Sequence, residues 1–220
     1  MRGLGETNTE IMKRHLRDHE LKIIEKLEKY AKTRSEHRKA RKRKDLKTVG
    51  IVGYTNAGKS TLMNTLTHKG VLAEDKLFAT LGTSVGKMIL QKKEPGEWGE
   101  YQAQEVLIND TIGFIRDLPP ELIRAFSSTL EDSIEADILL HVIDASDPKV
   151  LDKIDIVDET LEHIGAKQLR IYVFNKIDNM SELAILMMKE QFADLNPIFI
   201  SAVSKRGIEE LKERIGELLE

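Results

Sequence analysis

The tightest constraint on this chain lies at residues 53–60, Gly53-Tyr54-Thr55-Asn56-Ala57-Gly58-Lys59-Ser60, which satisfy the pattern GxxxxGK[ST]. An apolar stretch, Thr48 to Val52, runs into it, and a segment with helical character follows from Lys59. That strand–loop–helix context is the one the pattern requires. Its glycines let the backbone wrap an anion closely, while loop N–H groups and the helix N-terminus supply positive potential. The loop residues Gly53, Tyr54, Thr55, Asn56, Ala57 and Gly58 are therefore expected to cradle phosphates. Lys59 is expected to reach the β- and γ-phosphates, and the Ser60 hydroxyl to ligate Mg²⁺. Thr61 is placed to donate to the α-phosphate.

A loop of this kind needs a parallel strand behind it, and the rest of the chain supplies the alternation. From Thr48 onward, short apolar strands are predicted at Thr48–Gly53, Lys87–Lys92, Glu105–Asp110, Asp137–Asp144, Arg170–Asn175 and Pro197–Ser201. Helices are predicted near Lys59–Thr67, Pro120–Ala136, Val150–Ile164, Glu182–Ala193 and Gly207–Leu219. The expected fold is α/β, a P-loop NTPase with a six-stranded, mostly parallel sheet flanked by helices. The second strand is expected to run antiparallel, because Glu94-Pro95-Gly96-Glu97 supplies turn chemistry between it and the third.

Three further motifs follow in order. Val106-Leu107-Ile108-Asn109-Asp110-Thr111-Ile112-Gly113 is an apolar strand ending in DxxG, with Asp110 lying 50 residues after Ser60. Asp110 can hold Mg²⁺ through water, and the Gly113 N–H can contact a γ-phosphate. Asn175-Lys176-Ile177-Asp178, after an apolar strand, is NKxD. The Asp178 carboxylate can accept two hydrogen bonds from guanine N1–H and its exocyclic amine, which adenine does not offer in that arrangement. Ser201, Ala202 and Val203 close the next strand, and the Ala202 N–H is placed for guanine O6. The ligands implied are GTP and GDP.

Charge divides the chain. Residues 1–47 hold 16 Lys/Arg against 8 Asp/Glu, a balance of +8, while residues 48–220 hold 18 against 29, a balance of −11. Two regions are expected: a basic helical segment at 1–47 and a globular domain at 48–220. Thr9–Lys44 has no proline or glycine, and Met12, Leu16, Ile23, Leu27 and Tyr30 form one thin apolar stripe. A stripe that narrow needs a partner, so part of the native chain is expected upstream. Arg38-Lys39-Ala40-Arg41-Lys42-Arg43-Lys44 could meet a polyanion, and an RNA-binding module independent of nucleotide is the alternative reading. His15 and His19 stand four apart, but no third ligand accompanies them. The chain has no cysteine, which suits a reducing cytoplasm. Its longest apolar run, Leu183–Met188, is far below the roughly 20 residues of a membrane span, so no integral membrane segment is expected. DNA is not an expected partner.

On these residues the chain resembles the HflX family of translation-associated GTPases. Arg2-Gly3-Leu4-Gly5-Glu6-Thr7 resembles the family's glycine signature leading into a long helix. Leu77-Phe78-Ala79-Thr80-Leu81 resembles its switch I, and Asp110 to Pro119, DTIGFIRDLP, its switch II. The resemblance implies that Thr80 closes over Mg²⁺ and the γ-phosphate, with Thr83 second. It implies catalytic roles for Lys59, Thr80 and Gly113, and Mg²⁺ held by Ser60, Thr80 and Asp110. It also implies a nucleotide switch on the large ribosomal subunit, of the ribosome-splitting or rescue type. The family carries an N-terminal domain and a first linker helix ahead of the signature, so the chain is expected to correspond to the second half of such a protein, with its helical linker cut midway. Gly82 and Gly86 stand where the family has an acidic residue and an arginine, and they are expected to loosen switch I. Phe114 follows DxxG where many GTPases place a water-orienting glutamine, so slow intrinsic hydrolysis is expected. In several GTPases with a hydrophobic residue there, an asparagine placed like Asn56 helps bind K⁺.

Overall fold

A computed structural model of the chain describes Arg14 and residues 46–67, 84–93, 101–110 and 136–220. The chain divides into two units, 1–45 and 46–220, and the second holds every element below. Residues 1–45, apart from Arg14, and the segment Pro120–Glu135 lie outside the described residues, as do Thr80, Thr83, Gly113 and Phe114.

Six strands form one sheet: β1 Lys47–Val52, β2 Ser84–Lys93, β3 Tyr101–Asp110, β4 Ile138–Asp144, β5 Leu169–Asn175 and β6 Ile198–Phe199. Their spatial order is β2-β3-β1-β4-β5-β6. β2 pairs antiparallel with β3, and every other pairing is parallel. Among the described residues four α-helices accompany them: α1 Lys59–Thr67, α2 Val150–His163, α3 Glu182–Gln191 and α4 Ile208–Leu218. The expected fold class is the observed one. β2 and β3 are longer than expected, at ten residues each, because two antiparallel strands can extend together past the central sheet. β6 is only two residues long. The chain leaves the ladder at Ile200, whose N–H still donates to Phe174 O at 2.8 Å.

Burial follows the sheet order. β4 lies between β1 and β5, and Ile138 to Ile143 are all buried, as a parallel strand covered on both faces requires. β2 is an edge strand, and its residues alternate from exposed Val85 to buried Leu90. One layer packs Leu62, Met63 and Leu66 of α1 and Leu211 and Ile215 of α4 against Val49, Ile51, Leu140 and Val142. On the opposite face, Val157 and Leu161 of α2 meet Val52 and Leu139. Ile185 of α3 meets Phe174, Phe192 and Phe199 there. Both faces are thus filled, and the C-terminal ends of β1, β3, β4 and β5 open along one rim.

Gly86 corrects an expectation. It lies in β2, buried, and a Cβ there would come within 2.6 Å of Thr67 Cγ2. Glycine at this position lets β2 approach the end of α1. It does not loosen a loop.

Candidate functional site on the strand rim

The glycine loop leaves β1 in a backbone that few side chains tolerate. Gly53 has φ +149°, and a Cβ there would meet Val142 O at 2.2 Å. Gly58 has φ +92°, and its Cβ would meet Asn175 Nδ2 at 2.3 Å. Asn56 holds the left-handed region at φ 61° and is exposed at the crest. Of the non-glycine residues, asparagine accepts that conformation most readily. Thr55 and Ala57 are buried beneath. Thr61 continues into α1, one turn before Thr65.

Lys59 is 6% exposed and donates from Nζ to Tyr54 O at 2.9 Å. Burial disfavours its charge and pushes the ammonium pKa down to about 8, although the nearby Asp110 carboxylate opposes that shift. The lysine therefore lies folded against its own loop, ready to exchange a carbonyl for a stronger anion. Ser60 Oγ donates to Asp110 Oδ2 at 2.8 Å, so residues from β3 and α1 meet at the rim. A hydroxyl and a buried carboxylate side by side, with a lysine next to them, suit a hard divalent cation shared with phosphate. Among the described residues no cluster of three His, Cys, Asp or Glu offers a different metal site.

Asn175 joins two loops that are far apart in sequence. Its Nδ2 donates to Ala57 O at 2.9 Å, and its Oδ1 accepts from Ala202 N at 3.0 Å. The Ala202 N–H, expected to face guanine O6, is thus engaged within the protein. Asn175 is 2% exposed, and a buried amide must have both its ends satisfied. Thr65 Oγ1 on α1 donates to Ala202 O at 2.9 Å, a second tie to the same loop. Ser201 is buried and its Oγ accepts from Ser204 N at 3.0 Å, while Val203 is exposed. Lys176 stands at φ 67° and pairs through Nζ with Asp144 Oδ2 at 2.7 Å. Asp178 lies exposed in the single 3₁₀ turn that follows, Ile177–Asn179.

The structure thus brings Gly53 to Thr61, Asp110, Asn175 to Asp178 and Ser201 to Val203 to one rim. Three neighbours escaped sequence reasoning: Thr65, Asp144 and Lys153. Asp144 left a signal, because a carboxylate ending an apolar strand before Ala145-Ser146-Asp147-Pro148 resembles the setting of Asp110. Thr65 and Lys153 left none, since each is an ordinary helix residue until the sheet places it.

This geometry, phosphate loop and base-reading loop bound through one buried asparagine, defines a P-loop GTPase. A family model described as "50S ribosome-binding GTPase" matches residues 48–176. The GTPase HflX of Caldanaerobacter subterraneus subsp. tengcongensis is 44% identical over 215 residues, covering 97% of this chain and 46% of that protein. The GTPase HflX of Escherichia coli is 39% identical, covering 100% of this chain and 49% of that protein. The chain belongs to the HflX family of GTPases, and it spans about half the length of these relatives. Among solved structures, a Sulfolobus solfataricus GTP-binding protein in complex with GDP is 27% identical with a TM-score of 0.58, covering 92% of this chain and 63% of that one. A variant of Aquifex aeolicus Era bound to GDP and AlF4⁻ is 25% identical with a TM-score of 0.56, covering 80% of this chain and 57% of that one.

Proposed function

We propose that the chain binds GTP and GDP and hydrolyses GTP as a nucleotide switch on the large ribosomal subunit, in the cytoplasm. One observation carries the nucleotide half: buried Asn175 fastens Ala57 of the phosphate loop to Ala202 beside the base-reading residues. A ligand with a guanine at one end and phosphates at the other matches that layout. Asp178 reads the base edge, and the Ala202 N–H shares itself between Asn175 and the guanine O6. Lys59 releases Tyr54 O and takes up the β- and γ-phosphate oxygens. Ser60 and Asp110 would hold Mg²⁺, which would neutralise charge on the phosphates; in the family's manner, Thr80 would join them and the Gly113 N–H would meet the γ-phosphate.

Water adds to the γ-phosphorus as the bond to the β–γ bridging oxygen breaks. Phe114 offers that water no hydrogen bond, so the intrinsic rate is slow and a partner completes the site. Asn56, exposed at the crest of the loop, is the residue that would offer an amide oxygen to K⁺ beside the phosphates.

The ribosomal half of the proposal is supported by the description of the matching family model, "50S ribosome-binding GTPase". Residues 1–47 serve as a basic arm to the G domain at 48–220. Sedimenting the protein with purified large subunits tests this reading: a non-hydrolysable GTP analogue should carry clearly more protein into the pellet than GDP. Equal pelleting in both nucleotides would favour the alternative, an RNA-binding module that ignores nucleotide state.

A further inference from the structure

Asp144 ends β4 directly beside Asn175 of β5, and its two carboxylate oxygens are used differently. Oδ2 holds Lys176 Nζ at 2.7 Å. Oδ1 accepts from Ser146 N at 3.0 Å and from Ser146 Oγ at 2.6 Å, which fixes the carboxylate's orientation. The turn continues with Asp147 N donating to Asp144 O at 3.2 Å and Val150 N donating to Asp147 O at 3.2 Å. Asp147 Oδ1 accepts from Lys149 N at 2.8 Å, and its Oδ2 pairs with Lys153 Nζ. That pairing, above all, holds the Asp147 carboxyl below its usual range. Lys153 Nζ in turn lies 4.7 Å from the centre of the Tyr54 ring. Tyr54 belongs to the phosphate loop, and its carbonyl is the one that holds Lys59.

The side-chain contacts at both ends of this chain of residues involve a charged group, and backbone hydrogen bonds of 3.2 Å hold the turn between them. The path runs from the lysine of the base-reading motif, through one turn, to the lysine of the phosphate loop. Tyr54, Thr55, Ala57, Asp144, Val150 and Lys153 also border one narrow recess, so turn and loop line it together.

We propose that the turn between β4 and α2 is a brace coupling the two ends of the nucleotide site, with Asp144 and Lys153 as its positioning residues. The proposal rests on the reading of this rim as a guanine-nucleotide site. Neither residue needs to touch the ligand. Asp144 holds Lys176 in its left-handed backbone position beside the base, and Lys153 holds the Tyr54 ring so that the loop keeps its shape. A ligand that engages both ends then finds both already placed, and less ordering opposes binding.

A double-substitution cycle on the full chain tests the brace, using a fluorescent GDP. Asp144→Asn and Lys153→Met should each weaken binding by about tenfold, and together by clearly less than the product, because each breaks the same path. The loss should fall on KM for GTP and leave kcat nearly unchanged, whereas a general loss of folded protein would scale kcat. Lys153→Arg, which keeps the charge over Tyr54, should recover most of the affinity. Lys212→Met on α4, remote from the rim, should be neutral and combine multiplicatively with either change. Should Asp144→Asn unfold, Ser146→Ala loosens the same carboxylate and completes the cycle. Multiplicative losses for the Asp144–Lys153 pair would overturn the proposal.

Absence of GDP binding by the unsubstituted chain would instead defeat the nucleotide reading. The brace is then judged on the nucleotide-free protein by NMR. Lys153→Met should move the Lys176 ε-methylene resonance, and Asp144→Asn the Tyr54 ring resonances; unmoved signals overturn it.

Discussion

Lys59 shows at a single residue how the site stores its readiness. The ammonium is buried without a full counter-charge, so burial lowers its pKa to about 8. In the unfolded chain the same group keeps its proton up to about 10.4. Between those values the unfolded state binds more protons, so stability of the nucleotide-free protein rises as the pH climbs from about 8 towards 10. Below pH 8 the penalty of burying the cation acts in full. Phosphate oxygens replacing Tyr54 O restore the charged form, so GDP binding should take up protons increasingly as the pH rises through the lowered Lys59 pKa. Calorimetry in two buffers of different ionisation enthalpy measures that uptake directly. Lys59→Met should abolish it and flatten the rise of stability with pH; persistent uptake in the variant would mean that another group titrates.

At the scale of elements, α2 is held to the sheet by more than its apolar stripe. Asp158 on α2 accepts from Arg170 Nη1 and from the Tyr172 hydroxyl, each at 3.0 Å, both on β5. His141 Nδ1 of β4 lies 3.3 Å from Asp158 Oδ1, an ion-pair distance outside hydrogen-bond geometry. Burial raises the Asp158 carboxyl, but His141, Tyr172 and Arg170 outweigh it and hold the pKa below the usual range. Burial pushes His141 down, and Asp158 only partly restores it. Asp158→Ala would leave Arg170 and Tyr172 without these bonds in a half-buried place, and unfolding in urea should show a loss of about 2–3 kcal/mol. A loss below about 0.5 kcal/mol would mean that the apolar stripe alone seats α2. The Asp158 contribution is present above the unfolded carboxylate pKa and is lost as the pH falls through the depressed folded value.

Over the whole molecule, the asymmetry of charge outweighs the net value of −3. The balance of −11 over 48–220 would repel a polyanion, and the +8 of residues 1–47 would attract one. Any affinity for RNA should therefore depend on Arg41, Lys42, Arg43 and Lys44. Each phosphate contact contributes roughly 0.7–0.9 to the slope of log K against log salt, so glutamine at all four positions should lower that slope by about 3. Filter binding of a structured RNA at several salt concentrations gives the slope. An unchanged value would clear the basic run of any part in binding.

Much of this was legible in the linear chain. The continuous apolar runs before Gly53, Asp144 and Asn175 announced buried parallel strands, and the glycine loop announced its own backbone. The order of the motifs was enough to name the fold class and the ligand. What the chain could not show were the partners across the sheet. Gly86 looked like a loosened loop, yet it is a strand residue pressed against Thr67. The motif placed the Ala202 N–H for a base, but it did not show that this N–H also donates to Asn175, 27 positions away. Asp144 and Lys153 gained meaning only once Lys176 and Tyr54 stood beside them. The reason is one of range. A motif encodes backbone geometry and chemistry within a turn or two, where spacing along the chain equals spacing in space. The contact of Asn175 with Ala57 spans 118 residues, and only strand order and register decide which side chains such distances bring together.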